Sequence, residues 1–240
     1  MKKSVLSWIL ILIVWQVAAM MVNNTILVPL PAEVFLKMLD QFQETQFWIH
    51  LGQTFFRILL AFIVSLIISV IVVLIKQKQT IFNQLIDQLL MILRVVPTAA
   101  IILMALVWLN PDKSVILIAL LVMIPLMVDL LDQQFKRIEK EYRDPLVLYG
   151  STPFENFIKI LMPLTLETFL TLCKSAVLLG LKVVISSEVL VSVQQGIGRQ
   201  LQYARFDLDM NRLFAVTGWV ILIALIVSKL FDTLIDKSRY

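Results

Sequence analysis

Three ionisable side chains, Lys174, Lys182 and Glu188, lie inside an apolar run from Leu164 to Val193. A charge at the centre of a bilayer costs at least about 2.5–3.5 kcal/mol on insertion scales, so each of the three needs a polar home. At about 100° per helical residue they share roughly half of the circumference with Thr171, Ser175 and Ser186. Two homes fit. The face lines a solvated path across the membrane, where Lys174 and Lys182 favour an anionic solute, or it packs against neighbouring helices while the lysine ammonium groups reach for the interface. Leu178, Leu181 and Ile185 lie on the same arc, which suits the second reading. Arg94, beside Pro97, reads as an interfacial anchor.

The rest of the chemical inventory is short, and its gaps are informative. No Gly is followed by Lys, so there is no Walker A loop to cradle phosphates. His-Glu-x-x-His and Gly-x-Ser-x-Gly are also missing. The single histidine, His50, leaves no pair for a metal; the single cysteine, Cys173, excludes an internal disulfide and reads as an inert buried thiol. Gly196-Ile197-Gly198 follows no strand and lacks a third glycine, so it reads as a turn. The expectation is no catalytic residue, no metal and no cofactor. Any ATP hydrolysis that drives this protein belongs to another polypeptide.

These residues are carried by a membrane chain. Of its 240 residues 60% are hydrophobic, against about 45–50% in a soluble globule, and the mean hydropathy is +0.90. A net charge of +4 without a basic run gives no footprint for nucleic acid. The apolar stretches predict six helical spans, at about 4–22, 54–75, 89–109, 114–131, 164–193 and 213–230, within a single domain covering 1–240. A cleavable signal peptide competes with the first, but its apolar run exceeds the usual ~7–15 residues. Residues 23–52 read as an amphipathic helix at the outer surface, with Val34, Leu36, Met38, Leu39, Phe42, Phe47 and Trp48 on its apolar side. Pro97 bends or breaks span three, Pro125 lies inside span four, Asn110-Pro111-Asp112-Lys113 reads as a tight outer turn, and 194–212 holds a short surface helix. The tryptophans suit interfaces and helix packing.

One polar interruption stands out, residues 141–163, EYRDPLVLYGSTPFENFIKILMP. Asp144 followed by Pro145 reads as an N-cap and first helical position, Gly150 as the end of that helix, and Thr152 with Glu155 as the capping box of a second. Two short capped helices make a rigid knob. Its residues resemble the cytoplasmic signature of binding-protein-dependent ABC importer permeases, Glu-Ala-Ala, three residues, Gly, nine residues, Ile-x-Leu-Pro. Gly150, Ile160 and Pro163 fall in register, Met162 replaces Leu, and Asp144-Pro145-Leu146 stands in place of Glu-Ala-Ala. Thr54-Phe55-Phe56-Arg57, Leu93-Arg94-Val95-Val96-Pro97 leading to Val107-Trp108, Ser187-Glu188 and Gly196-Ile197-Gly198 are similar to the sulfonate, nitrate, taurine and thiamin-precursor branch.

The resemblance implies an all-α polytopic fold of the type I importer permease kind, with Asp144, Pro145, Leu146, Tyr149, Gly150, Ile160 and Pro163 coupling to an ATPase. It implies as partners a second permease copy, a cytoplasmic ABC ATPase dimer and an external solute-binding protein, in a bacterial inner or plasma membrane. It also implies alternating access for a small solute, first an alkylsulfonate-like anion, then taurine, nitrate or a thiamin-precursor pyrimidine. Lys2, Lys3, Lys76, Lys78, Lys136, Arg137, Lys140, Arg143, Lys159, Lys237 and Arg239 outnumber Lys37, Lys113, Arg199 and Arg205 on the opposite face. Short basic loops stay cytoplasmic, which places the knob and both termini inside. The competing class is a secondary transporter or channel without an ATPase, for which repeated halves would be the sign; Pro97 and Pro125 lie in adjacent spans instead.

Overall fold

The computed structural model describes residues 2–76, 80–141 and 166–238, and every regular element among them is an α-helix. These are α1 (Lys2–Val22), α2 (Pro31–Gln43), α3 (Thr45–Lys76), α4 (Thr80–Val95), α5 (Thr98–Trp108), α6 (Pro111–Glu141), α7 (Leu166–Val191), α8 (Ile197–Phe206) and α9 (Met210–Lys237). Apart from Glu141, the expected coupling segment lies outside the described residues, and with it Asp144, Pro145, Leu146, Tyr149, Gly150, Ile160 and Pro163.

Among the described residues α3, α6, α7 and α9 are long and apolar enough to cross a membrane. The apolar stretch Leu6–Val22 of α1 is shorter. The span expected over 89–109 with a bend or break at Pro97 is a pair of helices, α4 and α5, bent by 97° at that proline, and its first half begins earlier than expected. Pro97 is the cause: it has no N–H to donate and it disfavours helical backbone at Val96. Its own extended backbone (φ −58°, ψ 126°) then starts α5, and its carbonyl accepts from Ala100 N–H at 3.0 Å. Pro125, by contrast, stays inside the continuous α6.

Two further expectations are corrected. Asn110-Pro111-Asp112-Lys113 is not a free turn but the capped start of α6. Asn110 Oδ1 accepts the Lys113 N–H at 3.0 Å, and Pro111 occupies the first helical position, where no N–H is needed. The stretch 23–52 is not one surface helix, because it divides at the extended Glu44; Phe47 and Trp48 belong to α3. Trp48 Nε1 donates to the Phe42 carbonyl at 2.9 Å, satisfying one of the acceptors that the end of α2 leaves open.

The chain forms two compact units, one of Met1–Thr54 with Ser192–Ile223, the other of Phe55–Val191 with Ala224–Tyr240. Aromatic contacts knit the first. Phe42 and Phe47 lie 5.8 and 5.3 Å from Trp219, Trp15 stacks on Phe214 at 5.7 Å, and Trp15 Nε1 donates to the Pro29 carbonyl at 3.1 Å.

The second unit is built around α6, which packs against α4, α5 and α7. Val115, Ile118, Ala119, Met123, Met127, Val128 and Leu131 recur every three or four residues along α6 and are buried. α3 presents Ala61, Ser65, Ser69 and Val73, all fully buried at four-residue spacing. Small side chains so spaced let helix backbones approach in lipid, where no hydrophobic driving force holds helices together. Ser69 Oγ donates to the Ile124 carbonyl of α6 at 3.4 Å. On α7, a Cβ at Gly180 would meet Met123 Sδ at 3.1 Å and Ile58 Cγ2 at 3.7 Å, so α3, α6 and α7 converge there. The Ser69→Leu change should therefore lower stability by about 1–3 kcal/mol through overpacking, and Ser69→Ala by under about 1 kcal/mol. Thermal unfolding of the purified protein in detergent checks both; equal effects would contradict close packing at this stripe.

Candidate functional site

α3 carries two buried cations, Arg57 and Lys76, about 28 Å apart at about 1.5 Å per residue, nearly the thickness of a hydrocarbon core. Arg57 Nη1 donates to Glu188 Oε1 of α7 at 2.5 Å, and Nη2 to Asp112 Oδ1 in the first turn of α6 at 2.5 Å. Arg57 is 4% exposed and Glu188 not at all, whereas Asp112 is 65% exposed. At the other end Lys76 Nζ donates to Asp87 Oδ1 of α4 at 2.6 Å and to Asp132 Oδ2 of α6 at 2.9 Å. Lys136 Nζ also reaches Asp132 Oδ2, at 2.9 Å. Arg94 is more than an interfacial anchor, because its Nη2 donates to Asp129 Oδ1 and so ties α4 to α6. Charge thus ties α3 to α6 and α7 at one end of the span and to α4 and α6 at the other. Pairing is obligatory for such groups, since leaving one partner buried alone costs about 3–5 kcal/mol.

The polar arc of α7 separates into three parts. Thr171, Ser175, Lys182 and Ser186 are exposed and fall within about 60° of one another. Lys174, on the shoulder, is paired through Nζ to Asp232 Oδ1 of α9 at 2.7 Å. Glu188 does not share the exposed stripe; it points into the helix packing, against Arg57. Cys173 is buried, as read from the sequence. Among the described residues no three His, Cys, Asp or Glu side chains gather as a metal site.

The first unit holds a polar feature that sequence reasoning missed. His50 and Thr54, one helical turn apart on α3, receive the start of α8: Gly196 N–H donates to His50 Nδ1 at 2.9 Å and Ile197 N–H to Thr54 Oγ1 at 2.8 Å. These are backbone donors that a helix leaves without intrahelical partners. Gly196 has φ 149°, which a side chain resists, so glycine is required here. Beside this joint lies a cavity of about 430 Å³ lined by Glu44, Gln46, His50, Gln194, Gln195, Gln200, Tyr203 and Arg212. The available signal was the pairing of His50 and Thr54 at i, i+4 with a Gly-x-Gly far along the chain.

Residues 73–239 match the family described as the binding-protein-dependent transport system inner membrane component. The chain belongs to this family. It is similar to the formylaminopyrimidine transport permease protein ThiX of Halalkalibacterium halodurans, 23% identical over 174 residues that span 72% of this chain and 69% of that one. Its fold is that of a chain in an inward-facing crystal form of the MetNI methionine ABC transporter, with a TM-score of 0.64 at 14% identity, over 80% of this chain and 93% of the other. The all-α type I importer fold and the resemblance at Gly150, Ile160 and Pro163 therefore point to one conclusion. The chain is the multi-pass permease subunit of a bacterial ATP-driven importer of a small solute. Its family is one of transporter permeases rather than enzymes, and membership implies an ATPase, a binding protein and a second permease as partners.

The ion pairs of this permease yield a direct test. Arg57→Met strands the buried Glu188 carboxylate and should cost about 3–5 kcal/mol, whereas Arg57→Met with Glu188→Met should recover much of that loss. A double-mutant cycle on thermal stability measures it. Additive losses would show that the pair contributes nothing jointly.

Proposed function

We propose that two copies of this chain pair in the cell membrane and that the path for the solute runs along the Thr171, Ser175, Lys182 and Ser186 stripe of α7. The observation that carries this reading is the exposure of the stripe on a membrane-spanning helix. The Thr171 and Ser175 hydroxyls donate to carbonyls within α7, at 2.9 Å each, but lipid offers the exposed Lys182 ammonium no such bond, so a polar stripe left uncovered by the described residues belongs against a second copy or against water. The basic loops place both termini and residues 141–163 in the cytoplasm. There Asp144 to Tyr149, by sequence register, would seat in a cytoplasmic ATPase dimer, with Gly150 permitting close approach and Pro163 fixing the return to α7. Closure of the ATPases draws the two coupling segments together and opens the path toward an external binding protein; hydrolysis resets it.

The solute we favour is a neutral pyrimidine of the formylaminopyrimidine kind, the cargo named for the ThiX relative. An alkylsulfonate, taurine or nitrate fits less well. The anion preference rested on two lysines, and the charge of Lys174 is offset by Asp232 at 2.7 Å, which leaves Lys182 alone on the stripe. The test is to purify the chain with its cognate ATPase and binding protein and to measure ATP turnover in vesicles. Formylaminopyrimidine should raise turnover several-fold and methanesulfonate should not; the reverse order would remove the substrate assignment while keeping the importer. Gly150→Val should abolish solute-stimulated turnover with membrane insertion unchanged. Wild-type stimulation in that variant would remove the coupling role.

A further inference from the structure

The cavity in the first unit is a candidate resting place for solute, and this inference rests on the importer reading above. Its wall is built from every class of neutral hydrogen-bonding group. His50 Nδ1 accepts the Gly196 N–H at 2.9 Å, so the imidazole proton sits on Nε2 and can donate. Arg212 Nη2 donates to the Gln200 side-chain oxygen, which leaves the Gln200 amide NH₂ as a donor beside it. Gln46, Gln194 and Gln195 add three exposed amides, each both donor and acceptor. The only two formal charges of the lining, Glu44 and Arg212, are opposite and offset each other.

The frame behind these groups is fixed. Arg212 N–H is also taken by Asp209 Oδ1 at 2.9 Å, which caps α9. Tyr203 has the Arg199 guanidinium over its ring at 4.4 Å, Arg199 Nη1 donates to Gln202 Oε1 at 3.2 Å, and Gln202 Nε2 donates to Ser192 Oγ at 2.8 Å. A wall that carries both donors and acceptors can read the edge of a flat molecule that presents both. At about 430 Å³ the space falls in the about 300–1,000 Å³ range of small-molecule sites.

We infer that this cavity binds a neutral, planar nitrogen heterocycle carrying amino or amide groups, by its edge, during passage through the permease. A sulfonate is a poorer occupant than a neutral molecule, because its attraction to Arg212 is opposed in the same wall by the Glu44 carboxylate.

The experiment uses the full chain in lipid nanodiscs, with radiolabelled formylaminopyrimidine as probe and unlabelled methanesulfonate as competitor. Two variants are compared with wild type. Gln200→Leu removes the amide that Arg212 holds, and Gln46→Leu with Gln195→Leu blunts two exposed amides without touching the His50 and Thr54 joint. The expected result is saturable binding to wild type, at least tenfold weaker in both variants, with no competition by methanesulfonate. Wild-type affinity in both variants overturns the site, and effective competition by methanesulfonate overturns the class of ligand. Absence of binding to the nanodisc permease, where the complete transporter still imports the probe, overturns the cavity and leaves the proposed function standing. If the complete wild-type transporter fails to import the probe, the substrate assignment itself fails and this inference falls with it. Crosslinking of the binding protein to a cysteine placed at Gln195, without any solute binding, would reassign the cavity as a protein contact.

Discussion

A charge cannot be left alone in hydrocarbon, and the larger unit of this permease is organised by that prohibition. Arg57 and Lys76 are buried in the packing of α3, and each is met by two carboxylates from other helices. In each cluster one carboxylate is deeply buried and the other is more than half exposed, Glu188 beside Asp112 and Asp132 beside Asp87. The buried acid balances the cation, and the exposed one keeps contact with a wetter environment, which limits the desolvation that makes buried pairs costly. Between the clusters lie only small and apolar side chains, Ala61, Ser65, Ser69 and Val73. Helix pairing in the interior rests on close approach and at the ends on charge.

The same constraint, applied to the backbone, explains the local conformations. A helix end or a proline frees polar groups, and several such places among the described residues have a partner. Asn110 caps α6, Asp209 caps α9, and α8 borrows His50 and Thr54 because Gly196 has no side chain with which to cap it. The prolines sort by position. At the start of α2 and α6 the missing N–H is harmless; at Pro97 it ends a helix; at Pro125, within the best-packed helix, neighbours hold the segment straight enough for α6 to continue.

Much of this was legible in the sequence. Length and apolarity gave an all-helical membrane chain and the four long spans, α3, α6, α7 and α9, and the ordered motifs gave the family, because both are local patterns. What escaped was whatever depended on pairing between distant segments. Glu188 sits on the same half-turn arc as Lys182, and nothing local distinguishes a carboxylate aimed at a path from one aimed at Arg57. Lys174 looked like an anion ligand until Asp232 was found beside it. Asn110-Pro111 has the composition of a turn and equally of a capped helix start; the apolar periodicity after Lys113 was the deciding clue, and it was available. One signal was present but unread: the cations of α3 and the acids of α6, Asp112 and Asp132, recur at nearly equal separations, as they must if two helices run side by side and are tied at both ends.

That double tie bears on how a stroke is transmitted. A helix pair joined at one point can pivot about it, so force applied at one end is lost as rotation. Joined at two points about 28 Å apart, α3 and α6 resist pivoting about either one. α7 is attached to that pair at Arg57 and by the close approach of Gly180 to Met123, and α4 at Lys76 and Arg94. α6 and α7 are also the two helices between which residues 142–165 are strung. Under the coupling role proposed for that segment, a push on it would enter the unit through two of its cross-linked members at once.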